Sequence, residues 1–159
     1  AYSDIAIGVA LLMGLRFNLN FDAPYLTSSL RDFWRRWHIS LSSWLRDYLY
    51  IPMGGSRGGD WLTSRNLLLT FLLGGLWHGA GMTFVTWGVA HGVGLGVAVL
   101  WRRAGWPMPP VLGWFLTFLF VVMAWVLFRA ESFQGALNIY EGLLGLSPLG
   151  SGASPFVSQ

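Results

Sequence analysis

The sequence predicts an all-α, polytopic membrane protein with an interfacial amphipathic helix and a broken or re-entrant helical hairpin. Three observations carry this. The chain is 54% hydrophobic and 11% charged, with a mean hydropathy of +0.52, a balance that belongs to bilayer proteins. Residues 66–100 form a run of 35 without a formal charge, and residues 111–128 another of 18. Between residues 28 and 50 apolar side chains recur at helical spacing with arginines opposite them.

Composition also removes several function classes. There is no cysteine, which excludes a disulfide frame, a thiolate nucleophile and a Cys-type zinc site. All ten basic residues are arginine, in keeping with a GC-rich bacterial genome, and a net charge of +3 is too small to argue for nucleic acid. Ten tryptophans and eleven phenylalanines suit membrane–water interfaces and lipid contact.

In chain order, residues 1–15 read as a spanning helix truncated at its start. No basic n-region precedes it, so it is not a signal peptide, and the chain reads as part of a larger membrane protein. Asn18, Asn20, Asp22 and Pro24 mark a loop. Thr27 or Ser28 can then cap one amphipathic helix over 28–50. Its stripe is Leu30, Trp34, Trp37, Leu41, Trp44 and Tyr48, and His38 lies on its border. Such a helix suits the plane of the membrane surface.

The 66–100 run has an awkward length. As one helix it would extend about 52 Å, and fitting a hydrocarbon core of about 30 Å would need a tilt of roughly 55°. Two full crossings need about 40 residues. Arg57 and Arg65 precede the run and Arg102 and Arg103 follow it, which puts both ends on one side. A hairpin that bends near Gly79-Ala80-Gly81 satisfies both constraints. Non-helical backbone at depth must be buried in protein or line a wet cavity, so His78, beside the bend, is placed near a cavity. Gly88, Gly92 and Gly96 form a smooth face for close helix packing. Residues 111–128 are one more spanning helix, and 134–159 read as loop or the start of a further region, irregular after Pro148.

His78 is the leading site candidate, because an ionisable side chain at membrane depth calls for a function. A neutral imidazole there can take a proton from an alcohol and pass it to a leaving group. The alternative is a histidine hydrogen-bonded for packing. His38 on its own reads as a surface histidine, and His91 as one bonded to a neighbouring helix. Gly54-Gly55-Ser56-Arg57-Gly58 has the spacing of a nucleophile elbow but lacks the strand that motif needs. No ligand spacing around His78 supports a metal. Arg35, Arg36 and Arg46 can contact phosphates of a donor or of lipid, or serve as positive-inside anchors. From these features alone an enzyme and a transporter with a broken helix are nearly level, and a haem- or metal-binding membrane protein is a third reading.

Two blocks decide between them by resemblance. Residues 32–57, Asp-Phe-Trp-Arg-Arg-Trp-His-Ile-Ser-Leu-Ser-Ser-Trp-Leu-Arg-Asp-Tyr-Leu-Tyr-Ile-Pro-Met-Gly-Gly-Ser-Arg, and residues 72–80, Leu-Leu-Gly-Gly-Leu-Trp-His-Gly-Ala, resemble the membrane-bound O-acyltransferases. The likeness is to the bacterial branch of alginate O-acetylation and teichoic acid D-alanyl transfer. Residues 2–8, 20–25 and 125–130 also match that branch, so the resemblance covers roughly residues 1–133. It implies a multi-helix fold with a tunnel through the bilayer, His78 in the place of the family's invariant histidine and His38 in its more variable polar position. It further implies an acyl thioester, acetyl-CoA or a carrier-bound acyl group, as co-substrate, with no bound cofactor. The setting it implies is a bacterial inner membrane, multi-pass, with a periplasmic or extracellular acetyltransferase as partner. Trp77 would wall the site, and Arg35, Arg36, Arg46 and Asp47 would contact the substrates. Family members are about three times as long, so this segment alone is expected to be inactive.

Overall fold

A computed structural model gives the fold over residues 2–146, and the segment after Pro148 lies outside them. Helices α1 (Tyr2–Leu12), α2 (Leu30–Arg36), α3 (Ile39–Leu45), α4 (Gly59–His78), α5 (Met82–Arg103), α6 (Pro110–Arg129) and α7 (Phe133–Leu143) follow in order, with no strand among the described residues. The α4–α5 hairpin is the centre. Helices α2 and α6 pack on α5, and α7 returns on α6.

The hairpin closes tightly because glycines meet where its legs cross. A Cβ on Gly75 would stand 2.4 Å from the Phe84 carbonyl oxygen, and one on Gly88 2.3 Å from that of Phe71. Only glycine lets two backbones approach so closely, the small-residue packing of membrane helices. Asp60 and Arg103 form an ion pair across the open end, so the charged ends of both legs are neighbours. The uncharged part of α4, residues 66–78, is about 20 Å long at 1.5 Å per residue. That is shorter than a hydrocarbon core of about 30 Å. Helices α5 and α6 are long and apolar enough to cross a membrane.

One sequence expectation needs correction. The helix expected over 28–50 is two helices and a π-helical segment (Arg46–Tyr50). The chain breaks at Trp37 and His38, where His38 has φ 43° and ψ 57°. Its cap is Ser29, whose hydroxyl accepts from the Asp32 N–H at 3.2 Å and donates to the Asp32 carboxylate at 2.9 Å. This reciprocal pair outcompetes Thr27 and Ser28; the Thr27 hydroxyl bonds instead to the Pro24 carbonyl. The break turns the second half of the stripe outward: Leu30 and Phe33 are buried, whereas Trp44 and Tyr48 are 51% and 66% exposed. A further helix, α7, occupies the first part of the region expected to be loop or the start of a further region. Ser132 caps it by accepting from the Gly135 N–H at 3.1 Å, and the Tyr140 hydroxyl ties it to α6 through the Met123 carbonyl.

The core is aromatic and lies where α2, α5 and α6 converge. Leu30, Phe33, Leu95 and Val121 are its buried centre, with Trp34, Trp37, Phe71, Phe120 and Trp125 packed against them. Large apolar side chains also cover the outside of the spanning helices, including Val97, Val111, Phe115 and Leu116. That is the pattern of helices whose solvent is lipid or other helices.

Candidate functional site

His78 is the last residue of α4, and Gly79, Ala80 and Gly81 separate it from α5. It is half-buried. Two rings from other helices stand against it almost at right angles, Trp87 of α5 at 5.5 Å between centroids and Phe128 of α6 at 5.1 Å. The hairpin crossing accounts for this. Gly75 lies one turn before His78 and Gly88 next to Trp87, so backbone contact at the glycines brings imidazole and indole together.

His38 comes to the same place from the opposite direction. It occupies the break between α2 and α3 in the left-handed region. A non-glycine residue held there costs on the order of 1–3 kcal/mol, and such strain persists only where surrounding contacts over-determine it. The contacts are present. Residues 20–22 run across the break, with the Asp22 N–H donating to the Arg36 carbonyl at 3.0 Å and the Ile39 N–H to the Asn20 carbonyl at 3.0 Å. The Asn20 side-chain oxygen accepts from the Ser40 N–H at 2.9 Å, and the Phe21 ring lies 6.0 Å from the imidazole. So held, His38 is linked to the surroundings of His78 through its neighbour Trp37, which packs on Trp125, itself against the Phe128 ring that flanks His78. Its Nδ1 is buried and has no protein partner.

An aromatic layer supports the pair. Trp37 meets Trp125 at 4.9 Å, and both Trp125 and Trp87 meet Phe128, at 5.4 and 5.2 Å. The indole N–H groups of Trp87 and Trp125 are buried without acceptors. Trp34 differs: it donates to His91 Nδ1 at 3.2 Å. His91 is therefore a packing histidine of the α2–α5 contact, with its proton on Nε2. Chemically, the arrangement is an imidazole base against an aromatic wall of Trp87 and Phe128.

The other sequence candidates are placed less centrally. Trp77 is 67% exposed and only adjoins His78, at 5.0 Å; Trp87 and Phe128 form the wall instead. Those two were missed because they belong to other helices and no local spacing links them to His78. Arg35 is exposed and paired with Asp32 at 3.3 Å, and Arg36 is exposed. Arg46 and Asp47 chelate one another through bonds of 2.7 and 3.0 Å. The guanidinium holds the Asp47 carboxyl below the usual carboxylate range, while the carboxylate raises Arg46. This pair and the arginines of α2 form an exposed polar band rather than part of the histidine site. The Ser56 hydroxyl pairs with the Tyr50 hydroxyl at 2.7 Å in an exposed loop. Among the described residues no three His, Asp or Glu side chains are grouped to hold a metal.

Comparison with known proteins identifies the family. The model of the membrane-bound O-acyltransferase family matches residues 1–137. The Pseudomonas aeruginosa protein named "Probable alginate O-acetylase AlgI" is 54% identical over 146 residues, covering 89% of this chain and 28% of that protein. The peptidoglycan O-acetyltransferase of Helicobacter pylori is 46% identical over 150 residues, covering 92% and 28%. The teichoic acid D-alanyltransferase of Streptococcus thermophilus is 30% identical over 151 residues, covering 80% and 36%. The chain thus spans less than a third of the length of the first two. The family match runs through both histidine segments and the helices that bring them together: the chain belongs to the membrane-bound O-acyltransferase family.

Proposed function

We propose that the protein containing this chain transfers an acyl group, acetyl in the nearest chemistry, from a thioester to a hydroxyl of an exported polysaccharide or of a partner that modifies one. The observation that carries the reading is that His78 and the His38 segment adjoin one aromatic group, through Phe128, Trp125 and Trp37, within a stretch matched by the family model. The two relatives named as O-acetylating proteins are named for alginate and peptidoglycan, both polysaccharides, which supports a sugar hydroxyl as acceptor.

In this mechanism His78 removes the acceptor proton as the hydroxyl oxygen attacks the thioester carbonyl. The new C–O bond forms, the C–S bond breaks, and the proton passes from His78 to the departing thiolate. His38 orients the acceptor or polarises the carbonyl through its unpartnered Nδ1. Trp87 and Phe128 keep water away, which protects the thioester from hydrolysis. Arg35, Arg36, Arg46 and Asp47 sit apart from these rings, so their contribution is to the approach of a charged donor or to lipid headgroups. The setting is a multi-pass protein of a bacterial inner membrane, with acetyl-CoA or a carrier-bound acyl group as donor and a periplasmic or extracellular acetyltransferase as partner.

The test is His78→Ala in the full-length protein. Loss of a general base lowers transfer roughly 10²–10⁴-fold at unchanged membrane abundance. Normal acetylation by that variant would end the mechanism.

A further inference from the structure

We propose that Asn20 is a positioning residue, which sets the orientation of His38 and through it the rate of acyl transfer. The inference rests on the reading that His38 takes part in the reaction.

The argument starts from the first turn of α3. The opening N–H groups of a helix have no partners within it, and the residue before the helix ordinarily caps them with its own side chain. Here that residue is His38, and it makes no side-chain cap. Asn20, eighteen residues upstream, does so in its place. Its carbonyl oxygen accepts from the Ile39 N–H at 3.0 Å and its side-chain oxygen from the Ser40 N–H at 2.9 Å. One residue therefore serves two consecutive donors directly after the left-handed turn. The Asp22–Arg36 bond closes the other flank, so the chain is gripped on both sides of His38.

The arrangement has a chemical result. A histidine that capped its own helix would spend a ring nitrogen on backbone and turn its imidazole along α3. With Asn20 doing the capping, the His38 imidazole is released from capping its own helix, and its Nδ1 is buried without a protein partner. Backbone strain, an external cap and a free ring nitrogen coincide at one residue.

A double-mutant cycle in membranes containing the full-length protein tests this, with kcat and KM measured per unit of membrane-resident enzyme. His38→Asn is the partner variant, because asparagine tolerates the left-handed region and leaves the turn in place. Asn20→Ala removes only the bond to Ser40. A misplacement of about 1 Å can cost 10²-fold, so we expect Asn20→Ala to lower kcat roughly ten- to hundredfold, with KM changing less. Asn20→Asp keeps an acceptor oxygen and recovers most of the rate. In the His38→Asn background, Asn20→Ala causes no further loss. If the two losses multiply, Asn20 acts on the fold generally and the inference falls while the role of His38 stands. Full kcat in His38→Asn alone would remove the underlying reading. Full kcat in Asn20→Ala would remove the inference. Should Asn20→Ala be depleted from membranes, Asn20→Ser supports the same cycle, since its shorter hydroxyl cannot span to Ser40.

Discussion

Replacing Gly88 with alanine places one methyl group at the tightest point of the hairpin. Its Cβ would lie 2.3 Å from the Phe71 carbonyl oxygen and 3.3 Å from Gly75 Cα. To bring the first contact to even 3.0 Å the backbones must separate by about 0.7 Å, and neither atom is the mobile end of a side chain. Overpacking of this kind costs about 1–3 kcal/mol, and 2 kcal/mol alone shifts a folding equilibrium about 30-fold. Because Gly88 adjoins Trp87, and Gly75 is one turn from His78, the separation also opens the imidazole–indole contact. Thermal unfolding in detergent and acyl transfer per unit protein should fall together. Gly75→Ala at the same crossing should cost a similar amount. The double variant should cost less than the sum, since legs already pushed apart have room for the second methyl. Gly135→Ala is the control, its Cβ meeting only the Ser132 hydroxyl at 3.4 Å, and should be neutral or slightly stabilising. A Gly88→Ala protein of unchanged stability would refute the backbone contact from which the position of His78 has been derived.

Two further outcomes follow from particular hydrogen bonds. His91→Leu leaves the Trp34 N–H buried without an acceptor and should destabilise by about 1–3 kcal/mol, whereas adding Trp34→Phe should recover part of that loss; simple additivity in thermal unfolding would contradict the 3.2 Å bond. Ser56→Ala should retain acyl transfer, since that hydroxyl pairs with Tyr50 in an exposed loop, and a serine-dependent activity would reopen the nucleophile elbow.

The bend beside His78 was legible because it follows from length alone: the uncharged run is too long for one crossing and too short for two. The break at His38 was not. Nothing between residues 30 and 48 interrupts the helical spacing, and no glycine or proline marks the turn. The groups that end α2 and start α3 come from Asn20 and Asp22, so the signal lies in a loop read only as a loop. His38 was consequently placed on the rim of a surface helix, and the family resemblance, rather than periodicity, paired it with His78. Trp87 and Phe128 were hidden for a related reason, since membership of the site depends on which helices cross and at what register. The Ser132 cap was within reach of sequence reading, but residues 134–159 were read only as loop or the start of a further region.

The pairing of Asp60 with Arg103 bears on how this protein enters its membrane. Both charged ends of the α4–α5 unit stay on one face, and the part that leads into the bilayer is Gly79-Ala80-Gly81, flanked by residues without formal charge. No arginine or carboxylate of this unit has to pass through hydrocarbon, a transfer that costs about 2.5–3.5 kcal/mol per residue even on insertion scales. The two helices can insert together as a loop, with the glycine crossing already closed.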